Sequence, residues 1–131
     1  MLIDSSALLA ILLGEPESGA MLTAISEAPA RFVAAPSLVE ASAVLFARKG
    51  AGGDLALDAL LHRLSLVTIE MDDVAAAFAR DAFRRFGKGV GNPGVLNFGD
   101  CLAYGVAMAS GQPLLFKGDD FARTDVPAVT Y

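Results

Sequence analysis

The 131-residue sequence is poor in the residues that most often serve as nucleophiles, cross-links or soft metal ligands. It has one cysteine, Cys101, and one histidine, His62. A single cysteine excludes a disulfide within the chain, and we expect Cys101 to be a buried packing residue. His62 lies in a leucine-rich segment, where a surface role is expected, so no Ser-His-Asp triad is predicted. The chain also lacks a G-x-x-x-x-G-K phosphate-binding loop.

Positive charge and long apolar runs are scarce as well. Ten lysines and arginines stand against fifteen acids, a net charge of −5, which argues against holding nucleic acid by broad electrostatic attraction. The apolar run at 5–13 is too short to span a bilayer, and Asp4 precedes it instead of a basic segment. We therefore expect a soluble, cytoplasmic protein with no signal peptide, no anchor and no membrane partner.

The residues that are present form alternating apolar strands and helices. Apolar residues make up 54% of the chain, ample for one core in a single domain spanning residues 1–131. Strands are predicted at 1–4, 31–35, 66–69 and 113–116, with a last edge strand at 128–130. Strand and helix in repetition indicate an α/β fold with a parallel sheet and right-handed crossovers.

Local signals mark where the helices start. Asp54 and Asp72 are typical N-caps, and Ser37-x-x-Glu40 matches a capping box at the start of the third helix. The stretch 51–53 (AGG) is interpreted as a flexible connection. The segment 87–99 holds five glycines and a proline, so we expect a loop, and loops of this length are often functional.

Acidic side chains recur where predicted strands end. Asp4 follows the first strand, Glu40 lies in the first turn after the second, and Asp119 and Asp120 follow the fourth. Asp100 begins the helix that leads into the fourth strand. Open parallel sheets place their sites at the carboxyl edge. Taken singly, each acid is also explained as a helix cap or turn residue, so the functional interpretation depends on their convergence.

Convergence of these carboxylates has an electrostatic consequence. Two carboxylates about 4 Å apart repel by up to ~4 kcal/mol at an effective dielectric of 20. Four of them require raised pKa values or a bound cation. Carboxylate oxygens without a neighbouring histidine favour Mg²⁺ or Mn²⁺ over zinc.

Five segments together resemble a known family. They are 2–8 (LIDSSAL), 37–40 (SLVE), 83–89 (FRRFGKG), 96–101 (LNFGDC) and 114–121 (LLFKGDDF). In sequence and spacing they are similar to the PIN-domain ribonucleases, and specifically to the toxins of VapBC-type toxin–antitoxin pairs. The resemblance covers essentially the whole chain. The family's acidic quartet falls on Asp4, Glu40 and Asp100, and either Asp119 or Asp120 supplies the fourth member.

The resemblance implies a three-layer α/β/α sandwich with a central parallel sheet, and an endoribonuclease that binds Mg²⁺ or Mn²⁺. Asp4, Asp100 and one of Asp119 or Asp120 would hold the ion, while Glu40 would position or deprotonate a water. Asp119 is the residue assigned to the catalytic quartet, with Asp120 as a further metal ligand. Candidate substrate contacts are the polar and basic residues around these acids, namely Ser5, Ser6, Asn97, Arg84, Arg85 and Lys88.

The resemblance also implies partners. They are a cognate antitoxin protein, an RNA substrate and a second copy of the chain in a homodimer, with DNA bound only through the antitoxin in a toxin–antitoxin hetero-oligomer. Two other classes are weighed. One is a catalytically silent module with the same fold. The other is a phosphoacceptor receiver domain, which shares the layering and a late lysine, here Lys117, but lacks an aspartate after its middle strand.

Overall fold

Four short parallel strands form the centre of the molecule. The computed structural model describes residues 1–131 and gives the sheet order β3-β2-β1-β4. The strands are β1 (Leu2–Ile3), β2 (Phe32–Ala34), β3 (Val67–Ile69) and β4 (Leu114–Leu115). Every pairing between them is parallel. The predicted α/β fold with a central parallel sheet is confirmed.

Six helices cover the two faces of this sheet. They are α1 (Ser5–Leu12), α2 (Ser18–Glu27), α3 (Ala35–Lys49), α4 (Ala51–Arg63), α5 (Asp73–Phe86) and α6 (Phe98–Ser110), followed by a short 3-10 helix at Phe121–Arg123. None of them combines the length and apolar character needed to cross a bilayer.

Side-chain alternation along the strands divides the core in two. Leu2 belongs to a buried cluster with residues of α5 and α6. Its neighbour Ile3 belongs to a second cluster with residues of α1 to α4. Because successive strand residues point to opposite faces, a two-residue strand contributes one side chain to each cluster. The expected three-layer α/β/α arrangement follows from these two cores.

A close helix crossing joins α5 to α6. Gly105 lies so near α5 that a Cβ atom there would be 2.4 Å from the carbonyl oxygen of Ala75 and 2.8 Å from the Cβ of Ala79. Ala75 and Ala79 are themselves buried. Small side chains on both helices therefore let them pack almost backbone to backbone, which sets the position of the α6 N-terminus.

Two predictions about α4 are wrong. Residues 51–53 are helical, and Asp54 lies in the first turn of α4, where it accepts a hydrogen bond from Ser42 Oγ at 2.5 Å. The physical reason is close packing against α3: a Cβ on Gly53 would stand 2.6 Å from the carbonyl oxygen of Leu45. Gly50, with φ of +62°, makes the sharp junction between the two helices.

The predicted edge strand at 128–130 is reduced to a single bridge. Ala128 pairs in parallel with Leu114, and Val129 N–H donates to the carbonyl oxygen of Leu114 at 2.9 Å. Asp72 caps α5 as predicted, since its carboxylate accepts from Ala75 N–H at 2.8 Å. The loop predicted at 87–99 ends at Asn97, two residues earlier than predicted, because α6 starts at Phe98.

Candidate active site

Asp4 stands at the carboxyl end of β1, in the middle of the sheet. Its side chain caps α1 by accepting from Ser6 N–H at 3.0 Å and from Ser6 Oγ at 2.6 Å. Ser37 Oγ lies 3.5 Å from the other carboxylate oxygen. Asp4 is only 2% exposed. Burial raises its pKa, and the hydrogen bonds from Ser6 and Ser37 oppose that rise. A cap alone does not require so deeply buried a carboxylate.

Glu40 also lies at the start of α1, but its position within α3 differs from the predicted one. The predicted capping box is wrong: α3 begins at Ala35, and its N-cap, Ala34, forms no side-chain cap. The cause is Pro36, which fits the first turn of a helix because it needs no backbone donor there. Ser37 is therefore inside the helix, and Glu40 lies in its second turn, where Glu40 Oε2 accepts from Ser5 Oγ at 2.8 Å.

The N-terminus of α6 brings Asp100 to the other carboxylates. Asp100 and Asn97 form the capping box of α6, each side chain accepting from the other's backbone N–H at 2.8 Å. Glu40 packs against the adjoining turn, since a Cβ on Gly99 would lie 2.8 Å from Glu40 Oε1. A capping box is therefore present at the start of α6, with Asp100, and absent from the start of α3, where it was predicted with Glu40.

The raised pKa of Asp100 links it to the other acids. The pKa of Asp100 is raised to about 6, first by burial and then by the charges of Asp4, Asp120 and Glu40. We call these four carboxylates, Asp4, Glu40, Asp100 and Asp120, the acid pocket. The sequence left the edge reached by Asp100 undecided, and the structure puts it with the other three.

The turn after β4 carries both remaining aspartates. Asp119 and Asp120 are exposed. Asp120 is the one whose charge acts on Asp100, and Lys88 Nζ lies 3.6 Å from Asp120 Oδ2. The backbone N–H of Lys117 donates to Ser6 Oγ at 3.0 Å, so this turn is linked to the start of α1. Of the two aspartates, Asp120 is the one linked to Asp100 by its charge.

The arrangement is not a preformed coordination sphere. No three histidine, cysteine, aspartate or glutamate side chains of the structure lie close enough together to hold one metal ion. Three of the four acids instead accept a hydrogen bond from a local donor: Ser6 for Asp4, Ser5 for Glu40, and Asn97 N–H for Asp100. The acids are near enough for their charges to act on Asp100, yet Asp4, Glu40 and Asp100 are hydrogen-bonded within the protein.

The basic residues predicted to contact substrate have different surroundings. Arg85 is held by Asp125 at 2.7 Å and by Asp81 at 3.3 Å, and Tyr104 Oη donates to Asp125 at 2.6 Å. This cluster ties the C-terminal segment to α5 and α6. Arg84 lines a groove of about 420 Å³ between α5 and α6. Of the predicted basic contacts, Lys88 alone is in contact with the acid pocket.

The single cysteine and the single histidine have the roles expected of them. Cys101 is 2% exposed, and burial, with the charge of Asp100 as a lesser cause, raises the pKa of its thiol to about 11. A thiol with so high a pKa is a poor nucleophile. His62 is exposed on α4. Neither residue takes part in the acid pocket.

Comparison with known proteins identifies the family. Residues 1–127 match the PIN domain. The chain is 46% identical over 129 residues to Ribonuclease VapC of Mycolicibacterium smegmatis, an alignment that covers 98% of this chain and 99% of the relative. The chain belongs to the VapC group of PIN-domain proteins. The resemblance noted from its motifs is confirmed, and the receiver-domain alternative is wrong.

Solved structures of VapC proteins share the fold. VapC20 of Mycobacterium tuberculosis, described as a toxin that cleaves the sarcin-ricin loop, superposes with a TM-score of 0.77 at 16% identity, covering 99% of this chain and 98% of VapC20. VapBC2 of Rickettsia felis, bound to a DNA fragment from its promoter, gives a TM-score of 0.74 at 16% identity, covering 98% and 96%. At this identity the likeness establishes the PIN fold.

Proposed function

We propose that this VapC protein is a metal-dependent endoribonuclease, the toxin of a type II toxin–antitoxin system, and that it hydrolyses RNA at the acid pocket. The observation that carries the proposal is the placement of the acids: Asp4 and Glu40 accept from the adjacent hydroxyls of Ser6 and Ser5, and Glu40 lies against Gly99, the residue before Asp100. The raised pKa of Asp100, due first to burial and then to the charges of Asp4, Asp120 and Glu40, agrees with this placement. Four segments of the chain supply these acids, and structural capping does not require mutual repulsion among them. The name of its relative, Ribonuclease VapC, supports the same activity.

The chemistry of the donor set fits a hard divalent cation. The pocket offers carboxylate and hydroxyl oxygens without histidine or accessible thiol, which favours Mg²⁺ or Mn²⁺. Asp4, Asp100 and Asp120 would hold the ion, with Asp119 as the alternative to Asp120. No three of these groups converge in the structure, so binding would require their side chains to move closer together. When bound, the ion stabilises negative charge on the scissile phosphate and lowers the pKa of water.

Three residues of the chain would have separate roles in the reaction. Glu40, held by Ser5 at 2.8 Å, is placed to orient the attacking water and accept its proton. Lys88, which pairs with Asp120, is the basic side chain at the pocket and would contact a phosphate bound there. Asn97 is occupied by its capping box, so its contribution is to hold the α6 N-terminus that carries Asp100.

The two arginines predicted to contact substrate have different roles. Arg85 is engaged with Asp81 and Asp125, and we assign it to stability. Arg84 forms no ion pair among those found in the structure and is assigned to phosphate contact. Arg84→Ala should weaken RNA binding, measured as a rise in KM, whereas Arg85→Ala should lower the melting temperature with little change in KM. An unchanged KM for Arg84→Ala would contradict the phosphate contact of Arg84.

The partners follow from the same proposal. A cognate antitoxin would cover the toxin and place a basic side chain in the acid pocket, where it would pair with the carboxylates in place of a cation. The net charge of −5 argues that DNA binding falls to the antitoxin; the VapBC2 complex was solved with a fragment of its promoter DNA. We further propose a cytoplasmic homodimer that assembles with the antitoxin into a hetero-oligomer.

The test is cleavage of several purified RNAs with EDTA, Mg²⁺ or Mn²⁺. Wild-type protein should cleave only with a divalent ion, and Asp4→Asn should be inactive under all conditions. Asp58→Asn, which removes one exposed carboxylate on α4, is the matched control and should be fully active. Cleavage by Asp4→Asn, or by wild type in EDTA, would contradict the proposal. Metal binding without cleavage of any RNA would favour the catalytically silent module.

A further inference from the structure

Ser6 joins two segments that are far apart in the sequence. Its hydroxyl donates to Asp4 Oδ2 at 2.6 Å and accepts from the backbone N–H of Lys117 at 3.0 Å. A serine hydroxyl has one hydrogen to donate and two lone pairs to accept with. The Lys117 N–H donates to one of the lone pairs, and the single hydroxyl hydrogen is donated to Asp4. The Ser6 hydroxyl thus accepts a hydrogen bond from the segment after β4 and donates one to the residue after β1.

This link lies just beyond the point where the sheet stops. The last main-chain bond between β1 and β4 at the carboxyl edge runs from Asp4 N–H to the carbonyl oxygen of Leu115 at 2.9 Å. The turn with Asp119 and Asp120 begins after it, with no strand pairing of its own. Ser6 therefore supplies the next connection between the two chain segments, through a side chain.

Lys117 is also fixed from its other end. Its ammonium group pairs with Glu15 and Glu17, in the connection between α1 and α2. The residue that precedes the acidic turn is therefore held at its backbone by Ser6 and at its side chain by two acids. These two anchors fix the start of the turn that carries Asp120, three residues later.

The neighbouring serine serves a different acid. Ser5 Oγ donates to Glu40 Oε2 at 2.8 Å, which connects α1 to α3. Two adjacent hydroxyls therefore orient two different acids of the pocket. Ser6 is the one that also contacts the segment after β4.

We propose that Ser6 is a positioning residue that sets the spacing between Asp4 and the turn carrying Asp119 and Asp120, so that these acids can bind one divalent cation together. The cation-binding part rests on the proposed function. The hydrogen-bonded link between β1 and β4 is a property of the protein without metal.

Calorimetric titration with Mn²⁺ alone tests the role in cation binding. Loss of a residue that orients a metal ligand weakens binding by about 10- to 100-fold, and we expect Ser6→Ala to raise the Kd for Mn²⁺ by that factor. Ser6→Thr keeps the hydroxyl and should bind nearly as wild type does. Ser26→Ala, which removes an exposed hydroxyl bonded only within α2, is the control and should leave the Kd unchanged.

Two results would overturn the role. One is wild-type affinity in Ser6→Ala. The other is Ser6→Thr binding as weakly as Ser6→Ala, because the loss would then come from packing and not from the hydroxyl.

Amide hydrogen exchange without metal tests the link itself. In Ser6→Ala the Lys117 amide should exchange about fivefold faster or more, the factor that loss of one ordinary hydrogen bond produces. The Asp4 amide, bonded to Leu115, should keep its rate and report that the sheet is intact. Unchanged Lys117 exchange beside normal wild-type Mn²⁺ binding would overturn the Ser6 link alone. Absence of Mn²⁺ binding by wild type would overturn the proposed function, and the cation role of Ser6 with it.

Discussion

Removal of the Asp100 charge should stabilise the metal-free protein at neutral pH. In the folded protein the pKa of Asp100 is about 6, against an ordinary value of 3.8. The folded state therefore holds this proton to higher pH than the unfolded state does. The ionised carboxylate destabilises the fold, and this effect is absent below about pH 4, grows between pH 4 and 6, and is complete above pH 6.

The magnitude follows from the same two values. The rise from 3.8 to about 6 corresponds to about 3 kcal/mol at 1.36 kcal/mol per unit. Asp100 is partly open to solvent, which screens the interaction, so we expect about 1 to 2 kcal/mol. Asp100→Asn keeps a side-chain oxygen that can accept from Asn97 N–H, so the α6 cap survives. For a domain of this size the gain is a rise of roughly 3–8 °C in melting temperature.

Thermal unfolding followed by circular dichroism in EDTA measures this effect. Asp100→Asn should melt above wild type at pH 7.5, and the difference should shrink at pH 4.5. Asp58→Asn, with an exposed carboxylate on α4, should show no such pH-dependent gain. A variant no more stable than wild type at pH 7.5, or a gain equal at both pH values, would refute the raised pKa of Asp100 from which the prediction is worked.

Two further predictions concern the fourth acid and the helix crossing. Asp120→Asn should reduce metal-dependent RNA cleavage far more than Asp119→Asn, because the Asp120 charge acts on Asp100; equal losses, measured as initial rates, would make both aspartates ligands. Gly105→Ala places a Cβ 2.4 Å from the Ala75 carbonyl oxygen, and such overpacking costs about 1–3 kcal/mol. Chemical denaturation should show this loss, and wild-type stability would mean that the crossing of α5 and α6 can widen.

The sheet and two of its acids could be predicted because their signals are local. Short apolar runs alternating with helices indicate buried parallel strands, and the end of the first run fixes Asp4 at the carboxyl edge. The turn after β4 is identified in the same way. Glu40 was expected in the first turn of the helix after the second strand; it lies in the second turn, because Pro36 allows the helix to start upstream at Ala35.

The remaining features depend on contacts that leave no local pattern. Residues 51–53 are helical because Gly53 packs against α3, which overrides the low helix propensity of glycine. The bonds of Ser5 to Glu40 and of Lys117 to Ser6 span 35 and 111 residues of sequence. Hydroxyl residues after the first strand indicated a helix start, and only the fold shows which acid each of them orients.

The most direct measurement is the anomalous diffraction of crystals of this protein soaked in Mn²⁺. We expect one strong anomalous peak within coordination distance of carboxylate oxygens of Asp4 and Asp100, and no peak there in crystals of Asp4→Asn. A wild-type protein that cleaves RNA with Mn²⁺ but shows its anomalous peaks only elsewhere would contradict the assignment of these acids as the metal centre.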